Sequence, residues 1–299
     1  MNIEVVLTES EICDEFAESL EARDLPEKFF YWPSPLAWRA LSRDAHFAGL
    51  NRAWKAAAER VAARGNKSVI SLGAGDGLRD LMLIEALRGA GVEVSYFPVD
   101  SCQTLLEAAC GAAEDIDIPV TGIKADISSP PHLVYASDAA TGPKMLVMAG
   151  CTLGGLDALV EIEYVAQAMA PGDLLLVDAE LAAPDTLARR NTPALREFAL
   201  APMAAAGFSA ADGELRFEQK RDERREGVYM VTRHFHTRRD LRGGYCGREV
   251  LIQKGERIAL NFQYVFEPEA FRWLIEECGG LKLREQAVEG RFVTAVCEK

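Results

Sequence analysis

The chain has 299 residues, of which 49% are hydrophobic and 26% are charged. A chain of this length and composition can bury one large α/β core, or one such core with a smaller domain beside it, and disorder is excluded. The formal net charge of −13 argues against a nucleic-acid partner, because binding a polyanion requires a basic surface that displaces counterions.

The first residues set expectations about where the protein works. The stretch from Met1 to Phe16 is acidic and lacks the basic and apolar segments of a secretory signal. No apolar run in the sequence reaches the roughly 18 residues that a membrane span requires. We therefore expect a cytoplasmic protein that has no membrane partner.

The N-terminal part and the middle of the chain differ in pattern. Residues 1–65 are predicted to be helical. Strands and helices then alternate, and the predicted strands are "KSVISLG", "VEVSYFPVD", "IPVTGIKAD", "MLVMAG" and "DLLLVDAEL". Apolar strands separated by helices at this spacing are typical of a parallel, doubly wound α/β sheet.

The pattern changes again from about Leu181. After further helical stretches, apolar and polar residues alternate in four segments, which predicts antiparallel strands in "ELRFEQKRDE", "GVYMVTRHFHTRRDL", "REVLIQKGE" and "RIALNFQYVF". A last predicted helix, "PEAFRWLIEECGG", precedes two short strands at the end of the chain. The sequence has no internal repeat, so we expect the second half to be an insertion packed against the first.

Seven cysteines are scattered along the chain. Their number is odd, and no two of them have CxxC spacing. This pattern predicts reduced thiols, with neither a disulfide nor a metal site. Cys151 is expected to be a small buried side chain near the ligand rather than a nucleophile.

A glycine turn, "SLGAGDGLRD", follows the first predicted strand of the sheet. In such a sheet, ligands bind beyond the carboxyl ends of the strands. The glycines Gly73, Gly75 and Gly77 follow a G-x-G-x-G pattern and not the G-x-G-x-x-G of dinucleotide sites. Asp76 lies inside the turn, where its charge would repel a pyrophosphate but not a cationic ligand.

Acids end the next two predicted strands. Asp100 ends "YFPVD" and is placed to accept both hydroxyls of a ribose, while Asp126 ends "GIKAD" and can accept from an adenine amino group. Together with the glycine turn, these acids fit an adenosine that carries a positive tail, S-adenosylmethionine (SAM). The alternative is that the acids serve only as helix caps.

Seven segments in order resemble the histidine-specific methyltransferase family, which includes the enzyme that trimethylates histidine in ergothioneine biosynthesis. The segments are "LPEKFFY", "SLGAGDGLRDLMLIEALR", "YFPVDSC", "GIKADI", "MAGCTLGGLD", "PGDLLLVDAELAAPDTL" and "GERIALNFQYVFEPEAFRWLIEECG". The match runs from Leu25 to about Gly280. The resemblance implies a SAM-dependent enzyme that acts on a small molecule.

The resemblance also implies how the chain is divided. Residues 61–180 would form a class I SAM-binding Rossmann-like domain with a doubly wound α/β sheet, and residues 281–299 would return two strands to that sheet. Residues 1–60 and 181–280 would form a second α+β domain, made of N-terminal helices and a β-rich insertion. The substrate would then lie between the two domains.

The cofactor residues can be carried over from the family position by position. The resemblance implies contacts to SAM from Gly73, Gly75, Asp76, Arg79, Asp100, Asp126, Ile127 and Gly150. Arg79 replaces a lysine that faces the methionine carboxylate. Ser71 stands where many SAM sites have an acid, so Asp76 is expected to take that role near the methionine ammonium.

The implied substrate residues depart from the family. Tyr31 is kept, and we expect it beside the acceptor atom as the catalytic residue. Phe47 and Asn191 stand where the family has tyrosines, and Gly155 stands where it has an asparagine. A glutamate and a serine that hold the imidazole in the family are replaced by Asn261 and Gln263.

Strand periodicity bears on Asn261 and Gln263. In an alternating strand, both side chains share one face, opposite an apolar face made of Ile258, Leu260, Phe262, Tyr264 and Phe266. The family position favours a pocket lining for the amide face. The alternative is a solvated strand face.

These departures make histidine a poor candidate for the acceptor, because each buried polar group left unpaired costs roughly 1–3 kcal/mol. We expect a methyltransferase for a small amine or amino acid other than histidine. An enzyme that transfers or cyclises the aminocarboxypropyl arm of SAM, releasing methylthioadenosine, is a second possibility. A non-catalytic SAM-binding or NAD-binding protein is the third.

Overall fold

The computed structural model describes residues 1–43, 45–62, 64 and 67–299. Its strands are β1 Ile3–Val5, β2 Asp24–Leu25, β3 Ser68–Leu72, β4 Ser95–Asp100, β5 Gly122–Lys124, β6 Lys144–Met148, β7 Leu174–Glu180, β8 Gly213–Arg221, β9 Val228–Thr237, β10 Leu241–Tyr245, β11 Arg248–Ile252, β12 Arg257–Phe266, β13 Lys282–Glu289 and β14 Phe292–Glu298.

The α-helices lie between these strands. They are α1 Glu9–Ala22, α2 Pro35–Ser42, α3 Ala45–Ala62, α4 Leu78–Gly89, α5 Gln103–Glu114, α6 Pro130–Asp138, α7 Thr152–Gly155, α8 Ala158–Ala168, α9 Thr186–Arg190, α10 Pro193–Ala205 and α11 Pro268–Trp273. Short 3₁₀-helices span Glu27–Phe30 and Ala210–Asp212, and a π-helical turn, Leu274–Cys278, follows α11. In the described ranges, no helix combines the length and apolar character needed to cross a bilayer.

The central sheet has the order β1-β5-β4-β3-β6-β7-β14-β13. The first six of these strands are parallel, and β14 runs antiparallel to both β7 and β13. All residues of β6 and β7 are buried, as expected for strands covered on both faces. The predicted doubly wound α/β sheet is therefore confirmed. Its order reverses between β3 and β6, which is where such sheets bind ligands.

A second sheet has the order β2-β12-β9-β8, and β10 and β11 form a separate hairpin. Strand β12 pairs antiparallel with β9 and parallel with β2. The predicted antiparallel strands of the second half are confirmed. The register of β12 shifts between Ala259 and Phe262, which marks a bulge.

Two strands lie within residues 1–65, which the sequence predicted to be wholly helical. Strand β1 pairs with β5 at the edge of the central sheet, and β2 pairs with β12 in the second sheet. With three and two residues, these strands are too short to show an alternating pattern. The N-terminal segment thus contributes to both sheets, and the domain boundaries at 60, 180 and 280 stay a prediction.

Helix α1 has a well-defined start that positions the segment after it. Thr8 Oγ1 accepts from the backbone N–H of Glu11 at 3.3 Å, and the Glu11 carboxylate accepts from the backbone N–H of Thr8 at 2.8 Å. This capping box satisfies donors that the first turn leaves free. Arg23 ends the helix in the left-handed region, with φ of 62°, and turns the chain into β2.

The prediction that all cysteines are reduced is wrong for two of them. Cys13, in α1, forms a disulfide with Cys246, in the turn between β10 and β11, across a sequence separation of 233. The sequence pattern gave no sign of this pair because only folding brings α1 next to the hairpin. Cys151 is free and buried, as predicted.

The buried apolar residues form clusters on each side of the central sheet and within the second sheet. One cluster packs α6 and α8 on one face of the central sheet, and another packs α3 and α4 on the opposite face. The third packs α1 and α10 against β12 and includes Phe29 and Phe30 of the first 3₁₀-helix. This helix therefore lies between the second sheet and the ends of the parallel strands.

Candidate active site

A cavity of about 260 Å³ lies beyond the carboxyl ends of β3, β4, β5 and β6. Residues that follow these strands line one side, and the segment from Asp24 to Tyr31 together with β12 lines the other. Small-molecule sites commonly have volumes of about 300–1,000 Å³. The cavity is slightly smaller than that range.

The glycine turn forms part of the wall. Gly73 and Gly75 have φ of +73° and +57°, a region that residues with a Cβ rarely adopt. A Cβ on Gly73 would lie 2.9 Å from Thr152 Cγ2, and one on Gly75 would lie 3.0 Å from Trp38 Nε1. Both positions therefore need glycine for backbone conformation and for space.

Asp100 connects this turn to strand β4. Its Oδ2 accepts from the backbone N–H of Gly75 at 2.8 Å, and its Oδ1 accepts from the backbone N–H of Cys102 at 2.8 Å. Burial raises the pKa of Asp100 to about 6, although these hydrogen bonds act in the opposite direction. Each carboxylate oxygen keeps a lone pair that can accept a ligand hydroxyl.

Asp126 and Ile127 line the cavity after β5. Asp126 Oδ2 accepts from Lys28 Nζ at 2.6 Å, and Oδ1 accepts from the backbone N–H and the hydroxyl of Ser128. Burial by itself would raise the pKa of Asp126, but the Lys28 ammonium and the Ser128 hydrogen bonds outweigh it and lower the pKa. Sequence reasoning missed Lys28, which ties the 3₁₀-helix to this end of the sheet.

Three predicted cofactor residues do not line the cavity. The Asp76 carboxylate pairs with Arg43 at 3.1 Å and with Arg39 at 3.8 Å, both from the segment of α2. Arg79 is buried behind the wall, where its guanidinium lies beside Gly150. The backbone N–H of Gly150 donates to Asp178 at 2.9 Å. Asp76 thus links the glycine turn to the segment of α2.

Tyr31 lines the cavity, as predicted, and Glu27 lies beside it. Sequence reasoning missed Glu27. The Tyr31 hydroxyl donates a hydrogen bond to the Glu27 carboxylate. Burial raises the pKa of Glu27, while the charge of Arg233 and the Tyr31 hydrogen bond counteract the rise. The sequence could have indicated Glu27, because it is an acid four residues before Tyr31 and residues at this spacing are neighbours on a helix.

Glu27 also explains the glycine at position 155. A Cβ on Gly155 would lie 2.9 Å from Glu27 Cδ and 3.1 Å from its Oε1. The Glu27 carboxylate therefore fills the space that a side chain at position 155 would need. Gly155 lines the cavity as predicted, but only through its backbone.

Asn261 and Gln263 do not form the predicted pair. Asn261 lines the cavity beside Phe262, whereas Gln263 Nε2 donates to the backbone carbonyl of Cys151 at 3.2 Å. The bulge in β12, where Asn261 has φ of +56°, interrupts the alternation and separates the two side chains. Both residues are buried, so a solvated strand face is also wrong.

The bulge divides the predicted apolar face as well. Leu260 packs in the cluster of α1 and α10, whereas Tyr264 and Phe266 pack in the cluster of α6 and α8. Phe262 lies at the cavity between them. The five apolar residues of β12 therefore do not share one face.

The remaining two predicted substrate residues lie away from the cavity. Phe47 is buried behind Trp38, with ring centroids 6.0 Å apart, and the Arg79 guanidinium lies over its ring. Asn191 is exposed and accepts from Arg196 at 2.8 Å. Helix packing decides both placements, which no local pattern could indicate.

The cavity is strongly acidic and partly aromatic. Among the described residues that line it, the charged side chains are the acids Asp24, Glu27, Asp100, Asp126 and Asp157 and the single base Lys28. The rings of Tyr31, Trp38 and Phe262 also line it. Carboxylates and aromatic faces attract cations and disfavour a pyrophosphate.

Comparison with known proteins gives a family match over most of the chain. A family model described as "Histidine-specific methyltransferase, SAM-dependent" matches residues 50–290. The chain is also similar to a histidine N-alpha-methyltransferase from Mycolicibacterium smegmatis (strain ATCC 700084 / mc(2)155), with 29% identity over 136 residues. That alignment covers 42% of this chain and spans only 39% of the relative.

The solved structures to which the chain is similar have low sequence identity and TM-scores below 0.5. A SAM-dependent methyltransferase from Clostridium acetobutylicum is 11% identical, with a TM-score of 0.48 and coverage of 87% of this chain and 97% of that one. A complex of DhpI with SAM and HEP is 15% identical, with a TM-score of 0.47 and coverage of 98% and 100%.

Proposed function

We propose that the chain methylates a small amine or amino acid other than histidine. The chain belongs to the family of SAM-dependent histidine-specific methyltransferases. The fold is that of a class I SAM methyltransferase, and SAM is the family's methyl donor. When bound, SAM supplies an electrophilic methyl group and leaves as S-adenosylhomocysteine. The acceptor is the part of this assignment that goes beyond the family.

The residues at the cavity fit SAM. We propose that Gly73 and Gly75 admit the methionine part close to the backbone and that Asp100 accepts from the ribose hydroxyls. Asp126 and Ile127 would lie at the adenine. The acidic lining supports a donor with a sulfonium and an ammonium group, since both are cations that these carboxylates attract.

An amine acceptor has the same electrostatic support. An amine enters the cavity as a cation at neutral pH, and the carboxylates and the rings of Tyr31, Trp38 and Phe262 favour a cation there. Methyl transfer itself requires the two reacting atoms to be held in line at about 3 Å, which such a cavity favours.

The contact between Glu27 and Gly155 carries the proposal that the acceptor is not histidine. By the resemblance, an asparagine stands at position 155 in the family, and here its space is filled by a carboxylate. Phe47 and Asn191, which replace two family tyrosines, lie away from the cavity. Of the two groups aligned with the imidazole contacts, only Asn261 lines it. Histidine would therefore lose several polar partners, each worth roughly 1–3 kcal/mol when buried.

The test is a screen of amines and amino acids, histidine included, with SAM and mass detection of both nucleoside products. We expect S-adenosylhomocysteine in step with a methylated amine, and slow or absent turnover of histidine. Efficient formation of trimethylhistidine would contradict the acceptor proposal. Methylthioadenosine as the product would indicate transfer or cyclisation of the aminocarboxypropyl arm, and SAM binding without turnover would indicate a non-catalytic protein.

A further inference from the structure

We infer that Glu27 binds the acceptor's ammonium group and takes its proton, so that the acceptor is an amine that enters as a cation with at least one N–H bond. This inference rests on the methyl-transfer function proposed above and names the side chain that recognises the acceptor. Glu27 is at the cavity wall, in the 3₁₀-helix that links β2 to Tyr31.

The two oxygens of Glu27 differ in their partners. Oε1 accepts from the Tyr31 hydroxyl. Oε2 is buried and has no hydrogen-bond partner among the residues that the structure describes. A buried carboxylate oxygen without a partner is unfavourable, and a charged N–H donor satisfies it with a strong hydrogen bond. An ammonium group in the cavity would supply that donor.

The charged groups around Glu27 leave this oxygen available. Arg233 from β9 and Arg190 from α9 act on Glu27 through their charge. Each of these arginines has another partner. Arg233 Nη2 donates to the backbone carbonyl of Phe262 at 3.2 Å, and Arg190 pairs with the Glu180 carboxylate. Neither forms a hydrogen bond with Glu27 in the described part of the chain.

The same surroundings suit Glu27 to accept a proton. Burial raises the pKa of Glu27, and the nearby positive charges limit the rise. The result is a carboxylate that is more basic than an exposed glutamate, which favours proton transfer from an ammonium group. Tyr31 is less suited to this role, because burial and the Glu27 charge raise its pKa well above the usual value. Its hydroxyl orients the carboxylate.

The step balances without a further reactant. An N–H bond of the ammonium breaks, the proton moves to Glu27 Oε2, and the electron pair stays on nitrogen. That pair forms the new N–C bond with the methyl group, while the electron pair of the C–S bond goes to sulfur. Glu27 later returns its proton to solvent, so the carboxylate is restored for the next turnover.

The kinetic test compares Glu27→Gln with wild type on a panel of amines and amino acids. Each member is paired with the alcohol or hydroxy acid of the same carbon skeleton. We expect methylation only of the amine in each pair, with kcat/KM at least 100-fold lower in the variant. Glu27→Asp should recover part of the loss. The exposed Glu107 of α5 provides a matched control, and Glu107→Gln should leave kcat/KM within twofold of wild type.

A pH profile separates proton transfer from a structural effect. In wild type, kcat/KM at saturating SAM should rise with pH through the raised pKa of Glu27. Glu27→Gln should lose this rise. A variant with reduced activity that keeps the same pH dependence would overturn the role of Glu27 as the proton acceptor.

A binding test does not depend on turnover. The protein saturated with S-adenosylhomocysteine is titrated with n-propylammonium chloride, and with n-propanol as the neutral probe, in a calorimeter. We expect binding of the ammonium only, weakened at least tenfold by Glu27→Gln and unchanged by Glu107→Gln. Equal binding in the Glu27 variant, or no ammonium binding to wild type, would overturn the inference.

The two tests distinguish the failure of this inference from that of the proposed function. If wild type binds n-propylammonium through Glu27 but methylates no member of the panel, the proposed function fails and the ammonium site stands. If the panel is methylated and Glu27→Gln has no effect on rate, the function stands and the role of Glu27 fails. Methylation of the alcohols in place of the amines would also overturn the inference.

Discussion

The Asp100 carboxylate accepts a 2.8 Å hydrogen bond from the backbone N–H of Gly75. The acid at the end of β4 therefore holds the glycine turn that follows β3, and both lie at the same cavity wall. A ligand that binds Asp100 meets a turn that is already ordered. This arrangement lowers the cost of ordering the site on binding.

We expect Asp100→Ala to weaken SAM binding at least tenfold. The ribose hydroxyls lose a charged acceptor worth roughly 1.5–3 kcal/mol, and the turn loses its hydrogen bond. Calorimetric titration with SAM measures the change. Asp115→Ala, at an exposed acid after α5, is the control and should bind as wild type. An unchanged affinity in Asp100→Ala would show that SAM binds elsewhere.

SAM affinity should also fall in acid. Burial raises the pKa of Asp100 to about 6 in the free protein. Below that pH the carboxyl group is neutral and is a weaker acceptor, so the dissociation constant should rise as the pH falls from 7.5 to 5. Titrations at several pH values test this. The Asp100→Asn variant should bind weakly at every pH with a flatter profile, and an equally steep profile would assign the effect to another group.

Asn261 and Gln263 should respond differently to substitution. Asn261→Ala should lower kcat/KM for the acceptor roughly 10–100-fold and leave SAM affinity within about threefold, because only a contact to the acceptor is lost. Asn261 has a positive φ, so Asn261→Gly is the matched variant that removes the amide without backbone strain. Similar losses of kcat/KM in both variants would assign the effect to the amide. An equal loss of SAM affinity would contradict the prediction that Asn261 contacts the acceptor.

Gln263→Ala should act mainly on stability. It removes the hydrogen bond to the Cys151 carbonyl and the 3.5 Å contact with Arg190. We expect the free energy of unfolding to fall by about 1–3 kcal/mol, the usual cost of leaving buried polar groups unpaired. Urea unfolding measures this. A loss of kcat/KM at full stability would instead place Gln263 in contact with the acceptor.

Glu161 should make stability depend on pH. Burial raises its pKa from 4.5 to about 8, and its Oε1 has no hydrogen-bond partner in the described ranges. In the unfolded chain the group is ionised above about pH 5, whereas the folded protein keeps it protonated up to about pH 8. The stability that Glu161 contributes is therefore greatest below the unfolded pKa and is lost as the pH rises through the folded value.

Urea unfolding at pH 6 and pH 8.5 tests this expectation. Wild type should lose about 1–3 kcal/mol more than Glu161→Gln over this interval, since one proton corresponds to about 1.4 kcal/mol per pH unit. The variant keeps the shape of the side chain and cannot ionise. Equal losses in the two proteins would mean that Glu161 does not titrate in this range.

The disulfide gives a prediction about stability in reducing conditions. Cys13 and Cys246 close a loop of more than two hundred residues, and a cross-link over a long loop restricts the unfolded chain. Reduction should lower the free energy of unfolding by about 2–5 kcal/mol. The Cys13→Ser/Cys246→Ser double variant should be insensitive to reductant. If reductant does not change the unfolding midpoint of wild type, the prediction of a stabilising disulfide is wrong.

Local patterns in the sequence determined the central sheet and the cavity wall that follows the ends of β3 and β4. Apolar strands separated by helices indicate a parallel sheet wherever they occur, because both faces of such strands are covered. The glycine turn and Asp100 follow the ends of β3 and β4, and the ends of neighbouring parallel strands meet at one edge. Their proximity therefore follows from the order of elements.

Tertiary structure decided the opposite wall of the cavity, where we propose that the acceptor binds. Glu27 and Lys28 reach the cavity because the 3₁₀-helix packs between the second sheet and the ends of the parallel strands, a contact between distant parts of the chain. The bulge in β12 directs Asn261 to the cavity and Gln263 to Cys151, although both belong to one alternating segment. Periodicity describes neighbours along one element. It carries no information on packing between elements, and that packing forms the cavity wall opposite the strand ends.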